Sequence, residues 1–161
     1  MLSRRLLRIK VVKALYAHYK SEAESASVSE KNLVRSVDRA YELYLQMLWL
    51  PVEVKRYAEK RMELARNKKL ATKEDLTPNT KFIDNQLIAQ LENRSQLLDE
   101  LEKRKLGWVN HPALVKSLYN SLVSSDRYRR YMNNAGGSYR EDVLFVEDFY
   151  LHDTEDNELL E

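Results

Sequence analysis

Residues 27–65, SVSEKNLVRSVDRAYELYLQMLWLPVEVKRYAEKRMELA, decide the fold class. Leu33, Val37, Tyr41, Tyr44 and Leu48 recur there at three- and four-residue intervals, and the period continues past Pro51 to Leu64 and Ala65. That spacing gathers apolar side chains on one side of a 3.6-residue helix, whereas a strand would gather every second residue. Ser27-Val-Ser-Glu30 matches a capping box and predicts the helix start. Pro51 lacks an N–H and clashes with the carbonyl four residues back, which predicts two helices or one kinked helix.

The rest of the chain agrees with this reading. Its 161 residues fit one ordinary domain, and only three Gly and three Pro interrupt them. There are 25 Leu against 12 Val, 3 Ile and 4 Thr, a balance that argues against a β-sandwich or barrel. Before the quoted stretch, Ser3 is a predicted N-cap for a helix reaching about Lys20. Leu7, Val11, Leu15 and Tyr19, with Val12, Tyr16 and Ile9, form its apolar arc, the expected packing face, and Lys10, Lys13 and Lys20 fall outside that arc. Residues 21–29 read as a polar surface loop.

After the quoted stretch, residues 66–80 read as a basic loop with at most one short helical turn. Thr80 is the predicted cap of a helix carrying Phe82, Ile83, Leu87 and Leu91. Ser95 starts another, ending near Gly107. Asn110-His-Pro112 opens a third with Val115, Leu118, Tyr119 and Leu122 on its face. Ser124 or Ser125 begins a short basic helix, and Ser138-Tyr-Arg-Glu141 opens the last one, with Val143, Leu144 and Phe149. The expected architecture is all-α, a bundle of about six or seven helices.

Charge divides the chain more sharply than its net value of +2 suggests. Residues 1–138 carry 26 Lys and Arg against 16 Asp and Glu, while 139–161 hold nine acids and one Arg. We therefore expect a basic helical bundle over 1–138, followed by a last helix and acidic segment over 139–161. The first 20 residues contain Arg4, Arg5, Arg8, Lys10, Lys13 and Lys20 and no acid, a footprint suited to a polyanion. Arg4, Arg5 and Arg8 sit at a helix amino end, where unpaired N–H groups add positive potential, though charge alone fits a solubilising helix end equally well. Tyr16, near them, is placed to stack a base or to edge a core.

Reactive groups are few. The chain has no Cys, and His18, His111 and His152 are scattered, outside any H-x-x-x-H pattern. No phosphate loop, G-x-G-x-x-G or G-x-S-x-G occurs, so no enzyme activity, metal or cofactor is expected. Asp99-Glu100 and Glu147-Asp148 read as solvated helix faces, and Asp153, Glu155, Asp156 and Glu158 as a solvated end rather than a cation site. Lys55, Arg56, Lys60 and Arg61 alternate with Glu53, Glu59 and Glu63, which favours ion pairs along the helix. Tyr128-Arg-Arg-Tyr131 combines stacking and phosphate-binding groups but is short. No run of 18 apolar residues and no secretory leader pattern is visible, and the expected location is the cytoplasm without membrane attachment.

Arg4-Arg5-Leu-Leu-Arg8, followed by Val11-Val12-Lys13-Ala14-Leu15-Tyr16, resembles the first helix of the bacterial transcription antitermination factor NusB family, roughly R-R-x-x-R-x-x-x-x-x-A-L-Y. Asp38 to Leu48 is similar to the family's aromatic-containing helix that packs on the first. The resemblance implies an all-helical NusB-like fold without catalysis. It also implies binding of single-stranded boxA-type RNA together with the ribosomal protein NusE, within the transcription elongation complex. By position, Arg4, Arg5 and Arg8 match the RNA-contacting arginines and Tyr16 the Ala-Leu-Tyr tyrosine; Lys10 and Lys13 join them on charge and geometry. Residues 66–161 lack the family's R-x-x-L-R-x-x-x-x-E and F-V-N-G-x-L segments, so the chain reads as the front portion of a longer protein. The alternative is a helical interaction or homodimerisation module that binds no RNA.

Overall fold

The computed structural model describes residues 3–21, 25–70 and 72–154, and every regular element among them is helical. Eight α-helices follow one another: α1 Arg4–Lys20, α2 Ala26–Arg66, α3 Lys73–Leu76, α4 Gln86–Glu92, α5 Ser95–Arg104, α6 Pro112–Ser124, α7 Asp126–Asn133 and α8 Tyr139–Asp148. A π-helical turn, Phe149–Asp153, extends α8. Helix α3 is the single short turn expected between residues 66 and 80, so the all-α expectation holds. No helix of the described residues is long and apolar enough to cross a membrane.

Local sequence explains most boundaries. Ser3 Oγ accepts the Leu6 N–H at 3.2 Å, and Ser125 and Ser138 cap α7 and α8 in the same way. Four boundaries differ from expectation. Helix α2 begins at Ala26, with the Val28 and Ser29 N–H groups on the Ser25 carbonyl, so Ser27 lies inside the helix and does not cap it. Residues 81–84 form a turn, in which Thr80 donates to Asp84, and Asn85 caps α4. Helix α5 stops at Lys105, which adopts the left-handed conformation (φ 54°) in place of a glycine. His111, not Asn110, holds the cap position of α6 and makes no side-chain cap bond.

Helix α2 is also continuous through Pro51, where two helices were one expectation. An interior proline costs about 3 kcal/mol. Here Leu50, Val52 and Val54 are fully buried around it, and a fully buried apolar side chain contributes about 1.5–3 kcal/mol, enough in sum to outweigh that cost.

The chain divides into two compact units, Met1–Met47 and Leu48–Glu161, and α2 contributes to both. The second unit holds the large core. Trp49, Leu50, Val52, Val54 and Ala58 of α2 are buried in it, as are Ile88, Leu97, Leu101, Leu118, Leu122, Phe145 and Phe149. Tyr57 meets Tyr119 edge-on at 5.1 Å, α4 packs on α8, and α7 packs against α6 and α8. The first unit is a hairpin of α1 and the first part of α2 in which no residue of α1 is buried. Lys10 Nζ donates to the Ser36 carbonyl at 2.8 Å, and His18 Nδ1 lies 3.0 Å from Ser29 Oγ.

Candidate nucleic-acid interface

These two hydrogen bonds set the rotation of α1. At about 100° per residue, Leu6, Lys10, Ala14 and His18 share the stripe turned toward α2, and each is half-buried. The apolar arc read from the sequence is therefore not the packing face: Val12, Tyr16 and Tyr19 are 65%, 66% and 84% exposed, and Leu7, Ile9, Val11 and Leu15 are exposed too. The reason is steric and polar. Ala14 and Ala17 let α1 approach α2, and Lys10 and His18 find polar partners there; of the bulky residues Leu6 turns inward, Val11 and Leu15 border α2 at the rim, and Val12, Tyr16 and Tyr19 are left outside.

Arg4, Arg5, Arg8 and Tyr16 consequently share one solvent-facing side of α1. Cations in the first turns oppose the helix dipole, an unfavourable arrangement of about 0.3–1 kcal/mol each that a bound anion relieves. Lys10 and Lys13, grouped with them from charge, are placed elsewhere. Lys10 is turned inward onto Ser36, and Lys13 borders a trough between the two helices.

No family model, curated protein or solved structure matches this chain.

That trough contains the residues sequence reasoning missed. One part, of about 260 Å³, is lined by Lys10, Lys13, Ala14, Ala17, Asn32 and Ser36. An adjoining part, of about 540 Å³, shares Lys10, Asn32 and Ser36 and adds Arg35 and Arg39. A signal for the last two was present: Lys31, Arg35 and Arg39 recur every four residues on α2, a row of like charges that an isolated helix does not favour.

The other basic stretches are engaged within the second unit. Lys55 Nζ lies 2.6 Å from Glu92 and 3.5 Å from Glu59, and Arg56 reaches both Glu92 (3.1 Å) and Glu53 (3.4 Å). The ion-pair reading holds for Lys55, Arg56, Glu53 and Glu59, with Glu92 of α4 as the partner the sequence did not reveal, while Arg61 lies over the Tyr119 ring at 5.8 Å. Burial acts to raise the Glu92 carboxyl, but Lys55 and Arg56 outweigh it and hold it below the usual carboxylate range.

In the Tyr128-Arg-Arg-Tyr131 segment both tyrosines serve the core. Tyr131 is buried and stacks on Phe145 at 4.0 Å, and Tyr128 packs on Phe82 and Phe145, where burial pushes its hydroxyl up to about 12. Asp153 is likewise buried, accepting from Ser121 and Arg127, so it is not part of a solvated end; Glu155, Asp156 and Glu158 lie outside the described residues. Glu100 pairs with Arg104 at 3.1 Å. Among the described residues no three His, Asp or Glu converge as a metal site.

Proposed function

We propose that this chain is a non-catalytic RNA-binding protein of the NusB type, which takes single-stranded RNA on the outward side of α1. The supporting observation is the acid-free first helix with Arg4, Arg5, Arg8 and Tyr16 exposed together. Guanidinium forks match phosphate oxygens and stack on unpaired bases, and an exposed tyrosine ring offers a sequence-tolerant platform for a base. The resemblance of this helix to NusB supports boxA-type RNA as the ligand and NusE, within the elongation complex, as the companion.

Three phosphate contacts by these arginines lower log affinity against log salt with a slope of about −2, at about −0.7 per contact. The triple variant Arg4→Ala, Arg5→Ala, Arg8→Ala therefore binds a boxA-like oligonucleotide weakly and with a flattened slope. Unchanged binding and slope would reject this role for α1.

A second reading rests on the same helix. Leu7, Val11, Val12 and Leu15 are exposed while nothing on α1 is buried, which suits association with another helix or a second copy of the chain. Light scattering of the protein alone separates the readings: a stable dimer indifferent to RNA favours the second.

A further inference from the structure

We propose that the trough between α1 and the first part of α2 carries the phosphate backbone of the single-stranded RNA beyond the outward side of α1. This inference rests on the RNA-binding reading of the same unit.

The two parts of the trough adjoin at Lys10, Asn32 and Ser36, which line both. Its cations follow its length. The Lys10–Ser36 bond fixes the register of the antiparallel pair, which sets Arg35 beside Lys10 and puts Arg39 one turn toward the amino end of α1, with Lys13 one turn the other way. A path with a positive group at each turn suits a polymer with regularly repeated negative charge.

The positive groups are available. Lys10 Nζ has three donors and gives one to the Ser36 carbonyl, which holds the ammonium at the trough while two remain. Among the described residues neither Lys13 nor Arg39 meets a carboxylate, and Arg35 has only a long contact, 3.5 Å, to Asn32. No acid lines either part of the trough. Glu30 lies on the opposite flank of α1 with Val11, Leu15 and His18, and of the trough cations only Arg35 borders the neighbouring surface that Glu30 and Asp38 line. The amide of Asn32 and the hydroxyl of Ser36 add neutral polar partners for sugar and phosphate oxygens. A nucleic acid is favoured over an acidic protein because the cations recur at each turn of the helix pair, as phosphates recur along a strand, and Asn32 and Ser36 lie among them as neutral partners.

The test is a fluorescence-anisotropy titration of the full chain with a short single-stranded oligoribonucleotide at several salt concentrations. Three variants are compared with the wild type: the triple Lys13→Ala, Arg35→Ala, Arg39→Ala, the double Arg35→Lys, Arg39→Lys, and the single Arg39→Ala. Lys10 is left in place because it joins the helices. The triple variant is expected to flatten the salt slope by about 2, at about 0.7 per lost contact, and the lysine pair to retain the wild-type slope. If the triple variant loses helicity by circular dichroism, the single variant decides, with an expected change of about 0.7. A wild type that binds RNA beside trough variants of unchanged slope overturns the trough and leaves α1 as the site. A wild type that does not bind RNA overturns both. Polyglutamate that competes as well as RNA at equal charge overturns the assignment to a nucleic acid.

Discussion

The Tyr131 hydroxyl donates to Asp142 Oδ1 at 2.6 Å and ties α7 to α8 inside the core of the second unit. Asp142 Oδ2 accepts the Gln86 N–H, and Asn85 Nδ2 donates both to the Tyr131 hydroxyl and to the Asp142 carbonyl. The start of α4 is thereby locked to both helices, and no buried side-chain polar atom among the described residues lacks a partner. Tyr131→Phe keeps the stack on Phe145 but strips a buried carboxylate oxygen of its donor. The expected loss is about 1–3 kcal/mol in urea denaturation, the cost of an unsatisfied buried group.

Acid sensitivity follows from Glu92. Its carboxyl is held below the ordinary value of 4.5 by Lys55 and Arg56 despite the opposing effect of burial, so its contribution to stability is present above that value and is lost as pH falls through the lower folded value. Glu92→Gln is expected to lower stability at neutral pH and to flatten its decline in acid. Thermal melts of both proteins across the acid range check this; parallel declines would count against it.

The alkaline limb is set by tyrosines. Burial raises the hydroxyls of Tyr119, Tyr128 and Tyr131 above the ordinary value of 10.0, with Tyr128 reaching about 12. The unfolded chain sheds these protons first, so stability is expected to fall as pH rises above about 10. In an ultraviolet titration these rings ionise late or only with unfolding, and Tyr128→Phe removes one late-ionising ring.

The first helix is expected to open before the rest of the molecule. No residue of α1 is buried, whereas α6 buries Leu114, Val115, Leu118 and Leu122. Isolated helices of this length are marginal in water, and only packing holds them. Native-state hydrogen exchange is expected to be several-fold faster in α1 than in α6. Saturating single-stranded RNA should slow exchange in α1 selectively.

How far the sequence was legible depended on whether one helix could settle the question. Caps at Ser3, Ser125 and Ser138 were readable because a hydroxyl and an N–H three residues on are local partners. The stop at Lys105 was not, because a nearby Gly107 is the cheaper occupant of a left-handed position on local grounds. In the candidate site, the arginines of α1 were visible as a cluster in the first turns. Arg35 and Arg39 stood out only as a row of like charges, and their place beside Lys10 was hidden, since that relation spans a loop and depends on how α1 is rotated.

What the sequence by itself determined is that the chain is helical and where its acid-free basic block lies, since both follow from spacing and charge along the chain. Tertiary structure alone decided which side of α1 faces outward. A periodic pattern defines the faces of a helix without saying which one finds a partner. Here Lys10 on Ser36 and His18 by Ser29 turned the stripe of Leu6, Lys10, Ala14 and His18 inward and left the arginines, Val12, Tyr16 and Tyr19 in solvent.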